Sequence, residues 1–367
     1  MRIFLHIGLE KTGTSSIQRF FRLNREALKK QSILYSLAAG NENHMALAAA
    51  AQDERKADDL RLIYELDSPL KIREFRVRLS ENLSAEVAQS RCSTLVLSGE
   101  HCSSRLTSPQ EVETLIQFLS AVSGDITVIV YLRRQDEFLC STYSTDVKSG
   151  HTGAMRVPGP ELRKNRYDYD LLLDRWCSAV GRERLICKIY EPDRFANSDV
   201  VADFAQTIRL PFVGNYQRPR RINESLDIST LEFLRLFNMT VPRFKNKKPN
   251  PLRGKIVQLL QRVSDGPRPT LPLTELIEFM AYFRDSNARV AEKYFGGAQP
   301  EGDPLFGKIG QHDNRAEMRA LSTEAAVTIA AHLWQGQQEK LLEQAGRIQR
   351  LSSRQKAEDA VHQGGGE

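Results

Sequence analysis

The first 18 residues constrain this chain more than any other stretch. They include Arg2-Ile3-Phe4-Leu5-His6-Ile7-Gly8-Leu9-Glu10-Lys11-Thr12-Gly13-Thr14-Ser15-Ser16-Ile17-Gln18. An apolar run stops at Gly8, a small and polar loop follows, and an amphipathic segment begins near Ser15. A strand that feeds a tight loop and then a helix offers free backbone N–H groups and a positive helix end to an anion.

The spacing from Gly8 to Gly13, followed by Thr14-Ser15, is nearly that of a nucleotide P-loop, G-x-x-x-x-G-K-[ST]. The lysine, however, is Lys11, inside the loop, and Thr14 stands where the P-loop lysine would be. In a P-loop ATPase that lysine reaches the β- and γ-phosphates and the next hydroxyl holds magnesium. A loop with its lysine displaced inward suits a shorter anion, one phosphate plus one further charged group, without a γ-phosphate.

Downstream periodicities extend the pattern. Ile17, Phe20, Phe21 and Leu28 recur at helical spacing and predict an amphipathic helix of about four turns. Ser32–Ser36 reads as a short strand, and an alanine-rich helix opens at His44 and runs to about Gln52. Residues 53–91 are charged and helix-prone, with Leu79, Leu83 and Val87 spaced four apart. Strands follow at Ser93–Ser98, Ile126–Leu132 and Leu185–Tyr190. Between them lie helices at Ser108–Val122, with Ser108 and Glu111 in capping-box register, at Asp136–Val147, and at Asp168–Val180 with its stop at Gly181. The continuous apolar run of Ile126–Leu132, rich in β-branched residues, suits a strand covered on both faces. Alternating strands and helices predict an α/β fold, a central parallel sheet flanked by helices on both faces. Ligands in such sheets bind beyond the carboxyl ends of the strands, where the Lys11 loop, Glu100-His101 and Arg133 all fall.

From residue 211 onward the pattern loosens. Arg218–Ser225 is a basic loop, and helices are expected at 228–238, 252–263, 273–284 and 286–294, punctuated by prolines. Glu324–Leu351 reads as a helix with Leu341, Leu342 and Ile348 on one side, too short for a coiled coil and better taken as a packing helix. The expected organisation is an α/β domain over 1–310, a helical extension over 311–353 and a disordered tail over 354–367.

The totals exclude several classes. Among 367 residues, 41% are hydrophobic and 27% charged, with a net charge of +6. That excess fits anionic substrates and is too small to argue for nucleic acid. No apolar run approaches the roughly 20 residues of a membrane span. Five scattered cysteines without C-x-x-C pairs argue against a disulfide framework or thiolate zinc site, and the apolar run of Ile3–Ile7 is too short for a secretory signal. A cytoplasmic home is the simplest reading. Oligomeric state is open at this point.

A second anion motif begins at Arg133. The chain reads R-R-Q-D-E-F-L-C-S from Arg133 to Ser141, an arginine at a strand end with a serine eight residues on. Such a pair offers a guanidinium fork and a hydroxyl to one phosphate; Arg134 misses the spacing by one.

With both motifs in hand, the chain resembles bacterial members of the PAPS-dependent sulfotransferases, a P-loop-like superfamily. Local echoes are Asn43-His44, Ser98-Gly99-Glu100-His101, Tyr167-Asp168-Tyr169 with Trp176, and Asn223-Glu224-Ser225. The resemblance implies a P-loop NTPase-like sulfotransferase fold and PAPS (3′-phosphoadenosine 5′-phosphosulfate) as co-substrate, without a metal. It implies that Lys11, Thr12, Gly13, Thr14, Ser15 and Ser16 cradle the 5′-phosphosulfate, and that Arg133 and Ser141 hold the 3′-phosphate. Lys11 would serve the leaving group. A basic loop would close over the nucleotide, at Arg218–Arg221 or at Lys245–Arg253. The resemblance puts the general base at Glu100-His101 or, failing that, at His44, with Glu42 beside it; His6 reads as a strand residue beneath the loop.

The implied acceptor is a hydroxylated molecule, and its pocket falls within 40–75, 145–166 and 240–315. A sugar or acidic glycan suits the basic rim there better than a flat steroid. Two rival classes remain, a P-loop-type kinase, which Thr14 contradicts, and a nucleotide-binding scaffold without chemistry.

Overall fold

The computed structural model of the chain describes residues 1–210, 216–218, 226–245, 248–307 and 315–363. Arg220-Arg221, Asn223-Glu224-Ser225, Lys247, His312 and the glycines from Gly364 lie outside them. The elements run β1 (Arg2–His6), α1 (Thr14–Leu23), α2 (Arg25–Lys29), β2 (Ile33–Tyr35), α3 (Met45–Ala51), α4 (Asp59–Ile63), α5 (Pro69–Ser90), β3 (Thr94–Ser98), α6 (His101–Arg105), α7 (Pro109–Ser120) and β4 (Ile126–Leu132). They continue with α8 (Gln135–Lys148), α9 (Pro160–Tyr167), α10 (Tyr169–Val180), β5 (Leu185–Ile189), α11 (Val200–Thr207), α12 (Ile228–Thr240), β6 (Phe244–Lys245), β7 (Lys248–Pro249), α13 (Ile256–Val263), β8 (Arg268–Thr270), α14 (Leu273–Ala281), α15 (Arg284–Phe295), β9 (Arg315–Glu317) and α16 (Thr323–Gln363).

β1 to β5 form one parallel sheet in the order β2-β3-β1-β4-β5. The N-terminal strand is therefore central, with His6 opposite Ser98 on one side and Ile129 on the other. Side-chain alternation sorts the strands into two cores. Leu5, Leu97, Val128 and Val130 join Trp176 of α10 and Leu115 of α7 on one face. Phe4, Val96, Ile129 and Tyr131 join Phe20 and Phe21 of α1 and Phe204 of α11 on the other. Each such fully buried side chain stabilises the fold by about 1.5–3 kcal/mol. The expected α/β architecture, with its helical C-terminal region, is what forms.

Local chemistry sets the boundaries. Ser108 and Glu111 form the expected capping box on α7, with Pro109 in the first turn. Asp168 caps α10 by accepting from the Leu171 N–H, and Gly181 ends it at φ 85°. The four-turn helix expected after the loop is instead two helices. Asn24 breaks it: at φ −110° its side-chain amide donates to the Phe20 carbonyl (2.8 Å), competing with the backbone as asparagine does. The last helix continues past Leu351 through Gln363, because no proline intervenes and Arg, Gln, Lys, Glu and Ala dominate the stretch.

The chain groups into two compact units, each discontinuous in sequence. The first comprises 1–142, 157–222 and 273–311 and holds the five-stranded sheet. The second comprises 143–156, 223–272 and 312–367. In it Asp227 caps α12 by accepting from the Ser229 and Thr230 N–H groups, and α16 packs against α12 and α13. No helix among the described residues is long and apolar enough to cross a membrane.

Candidate active site at the carboxyl edge of the sheet

The three strand ends singled out by sequence belong to adjacent strands, β3, β1 and β4. β1 delivers the chain into the Gly8–Gly13 loop, which is held by its own threonines. Thr12 Oγ1 donates to the Leu9 carbonyl at 2.6 Å and Thr14 Oγ1 to the same oxygen at 3.1 Å. Both threonines are buried, whereas Ser15 and Ser16, in the first turn of α1, are exposed. Gly8 has φ 28°, Lys11 φ 66° and Gly13 φ 77°, so the loop takes a positive φ three times. At Gly13 a glycine is required: a Cβ there would lie 2.8 Å from Val200 Cγ1 and 3.2 Å from the Tyr190 ring.

Among the described residues, the backbone N–H groups of Glu10, Thr12, Gly13, Thr14 and Ser15 have no protein acceptor. Amides without partners, gathered at a helix N-terminus, fit a phosphate or sulfate group. Half-buried Lys11 adds a positive charge from the loop itself.

Arg133 follows β4 and reaches this loop. Its Nη1 donates to the Lys11 carbonyl at 2.9 Å, its Nε to Glu137 Oε2 at 3.1 Å, and its guanidinium lies 5.6 Å from the Tyr190 ring centroid. Tyr169 Oη donates to the Arg133 carbonyl and fixes the backbone there. Arg134 behaves differently: it forms a two-pronged ion pair with buried Asp136 (2.7 and 3.0 Å) and turns to Glu137 at 3.4 Å. Both guanidinium groups thus meet Glu137 at the start of α8, while Arg133 also reaches the loop and Arg134 also grips Asp136. Ser141 sits half-buried in the second turn of α8.

Beyond β3, Glu100 and His101 are half-buried. Gln18 of α1 donates its amide to Glu100 Oε2 at 2.8 Å, and Ser103 Oγ donates to the Gly8 carbonyl, so this turn is fastened to the loop. His101 opens α6, and its Nδ1 is buried without a partner among the described residues.

His44 is not brought to the loop as a free base. It is buried, its Nδ1 accepts from the Ser98 N–H at 3.0 Å, and its Nε2–H donates to the Ser36 carbonyl at 3.0 Å. Burial pushes its pKa down to about 3, so the ring is neutral and both nitrogens are committed to backbone. An imidazole that bridges two chain segments in this way has both ring nitrogens engaged with backbone. Glu42 is likewise occupied, ion-paired to Arg22 at 2.6 Å and Arg19 at 3.5 Å. His6 lies beneath the loop as expected, its Nδ1 2.8 Å from Ser98 Oγ, with burial lowering its pKa to about 3.

Sequence reasoning missed Gln18 and Tyr190, and it set Arg166, here ion-paired with loop residue Glu10, on the basic rim of the acceptor side. Only Gln18 left a signal, a polar residue on the apolar face of α1. Of the basic stretch Arg218–Arg221, Arg218 pairs with Asp199, next to the Val200 that abuts Gly13. A cavity of about 320 Å³ lies beyond the end of β2, walled by Ala38, Ala39, Ala46, Tyr64 and Phe75, with Arg78 at its edge. Among the described residues no three His, Cys, Asp or Glu side chains gather as a metal site.

No family model matches the chain. It is 29% identical over 173 residues to an uncharacterised protein of Archaeoglobus fulgidus, a match spanning 46% of either chain. The chain thus spans about half the length of that relative. Among solved structures it is similar to a sulfotransferase from Alicyclobacillus acidocaldarius, at 13% identity and a TM-score of 0.36, over 80% of this chain and 95% of that one.

Proposed function

We propose that this chain is a sulfotransferase that moves the sulfuryl group of PAPS to a hydroxyl or amine of a carbohydrate or other small acceptor and releases PAP. The observation that carries the reading is the Arg133 hydrogen bond to the Lys11 carbonyl (2.9 Å). It joins an anion-binding loop lacking the P-loop lysine to a second phosphate-binding arginine beyond the neighbouring strand. The unpartnered loop amides and the exposed Ser15 and Ser16 fit a 5′-phosphosulfate, and Arg133 with Ser141 fits a 3′-phosphate.

The bound nucleotide supplies an activated sulfuryl group, and the protein's task is positioning and charge stabilisation, as in phosphoryl transfer. Lys11 neutralises the charge that develops on the bridging oxygen of the leaving nucleotide. Loop amides and the α1 N-terminus hold its phosphate. A base takes the acceptor proton as the new bond forms. With His44 committed to backbone, Glu100 and His101 are the groups for that role, Glu100 held by Gln18 and His101 with an unengaged nitrogen. The alanine-walled cavity beyond β2 offers an acceptor apolar walls with a cationic edge.

Calorimetric titration with PAP and with ATP-magnesium separates this reading from its rivals. PAP binding that weakens at least tenfold in Lys11→Ala, with mass-detected sulfate transfer to one of a panel of acceptors, supports it. Stabilisation by ATP-magnesium alone sinks it in favour of a kinase. PAP binding indifferent to Lys11→Ala, with no transfer, leaves a nucleotide-binding scaffold.

A further inference from the structure

The C-terminal helix α16 has two apolar sides, and internal packing accounts for one. Ile329 is buried, and Ala326, Leu333 and Gly336 are half-buried, on the side that meets α12 and α13. Val327 and Trp334 each stand two residues before a member of that side, which puts them about 160° round the helix from it. They head a row of four residues spaced seven apart, Val327, Trp334, Leu341 and Ile348, exposed by 62, 67, 50 and 67%.

Seven-residue spacing on an uninterrupted helix is the geometry of a supercoil seam. The intervening layer, four residues on from each, is Ala331, Gln338, Ala345 and Ser352, small or neutral. The flanking positions Thr328, Gln335, Leu342 and Gln349 on one side, and Ala330, Gln337 and Gln344 on the other, carry no charge. His332, Glu339, Lys340, Glu343, Arg347 and Arg350 all fall on the remaining, outward positions. Between Val327 and Ser352, charge is thus excluded from the seam and its borders.

We infer that α16 pairs with the same helix of a second copy of this chain, as a two-stranded coiled coil through Val327, Trp334, Leu341 and Ile348. The occupant is a second copy because a neutral seam repels nothing when it meets itself, whereas a foreign partner is ordinarily selected by a one-sign border. With Leu342, 73% exposed, the row presents on the order of 600 Å² per chain, or about 1,200 Å² for two, which reaches the size of a specific interface.

Light scattering on the full chain during size exclusion, across about a hundredfold range of concentration, tests this. The expected mass is twice that of one chain. Trp334→Glu combined with Leu341→Glu should weaken association at least a hundredfold, while Glu339→Ala on the outer side leaves it unchanged. Both seam residues are exposed within a chain, so unchanged circular dichroism is expected of the double variant. The chain has two tryptophans, and Trp176 is fully buried, so a red shift of emission in Leu341→Glu reports Trp334 entering water. A single-chain mass at every concentration overturns the inference, as does a dimer that survives the double substitution.

Discussion

Replacing His44 by asparagine should remove one proton's worth of acid sensitivity from the fold. In the native chain the ring is buried and neutral, its pKa lowered by desolvation from 6.5 to about 3. The sign follows from linkage. The unfolded chain takes up a proton on this histidine below about pH 6.5 and the folded chain does not until about pH 3, so stability falls as pH falls through that window. Between pH 7 and pH 5 the loss from this one group is about 2 kcal/mol. His44→Asn can keep an acceptor for the Ser98 N–H but loses the donor to Ser36, so it should be less stable at pH 7 by about 1–3 kcal/mol. Its further loss on acidification should nevertheless be about 2 kcal/mol smaller than that of the parent. Denaturant unfolding at the two pH values, followed by the near-ultraviolet dichroism of buried Trp176, measures both quantities; contributions from carboxylates cancel in the comparison. An unchanged pH increment in His44→Asn refutes the assignment of His44 as a buried neutral strut.

Further outcomes follow from the loop and its neighbours. Gly13→Ala should cost about 1–2 kcal/mol for the left-handed backbone alone, with more from the contact to Val200; adding Val200→Ala should return the contact share, read as a recovery in Tm. Arg133→Gln should weaken PAP at least tenfold in calorimetry with little change in Tm. Arg134→Gln should do the reverse, lowering stability by about 3 kcal/mol because it strands buried Asp136. Of His101→Ala and Glu100→Gln, the one that removes the base should lower kcat by about 10²–10⁴-fold with PAP affinity unchanged; equal, small losses in both would place the base elsewhere.

The sheet was legible because its strands are unmixed signals. Ile126–Leu132 is apolar at every other position, with Thr127, Ile129 and Tyr131 between, all residues that favour strands, and β4 has those bounds. The capping box of α7 was legible for a similar reason, since Ser108 and Glu111 act within one turn. What could not be read depended on long-range partners. Arg133 and Arg134 are chemically alike and adjacent; only Asp136 two residues on and the Lys11 carbonyl 122 positions away separate their roles. His44 was a candidate base by its place in the chain, about 30 residues beyond Lys11 and after the first helix. That Ser98 lacks another acceptor for its N–H, and takes the imidazole instead, is a property of the paired segments and of neither alone.

The displaced lysine gains its sense from the same long-range contact. In a loop that holds its lysine after the second glycine, side chain and amides can be set by the helix that follows. Here Lys11 precedes Gly13, at a left-handed φ that lysine does not adopt by preference. Its conformation is held from outside: Thr12 and Thr14 tie the loop to the Leu9 carbonyl, Val200 and Tyr190 close on Gly13, and Arg133 captures the carbonyl of Lys11 itself. Strain kept in place by surroundings is a feature of ligand clamps. Because Arg133 both holds that carbonyl and, in the proposed role, meets the other phosphate, loss of its guanidinium should be felt at both ends of the nucleotide. Arg133→Gln should therefore weaken inorganic sulfate or pyrophosphate at the Lys11 loop as well as PAP, and an unaffected affinity for those small anions would separate the two motifs again.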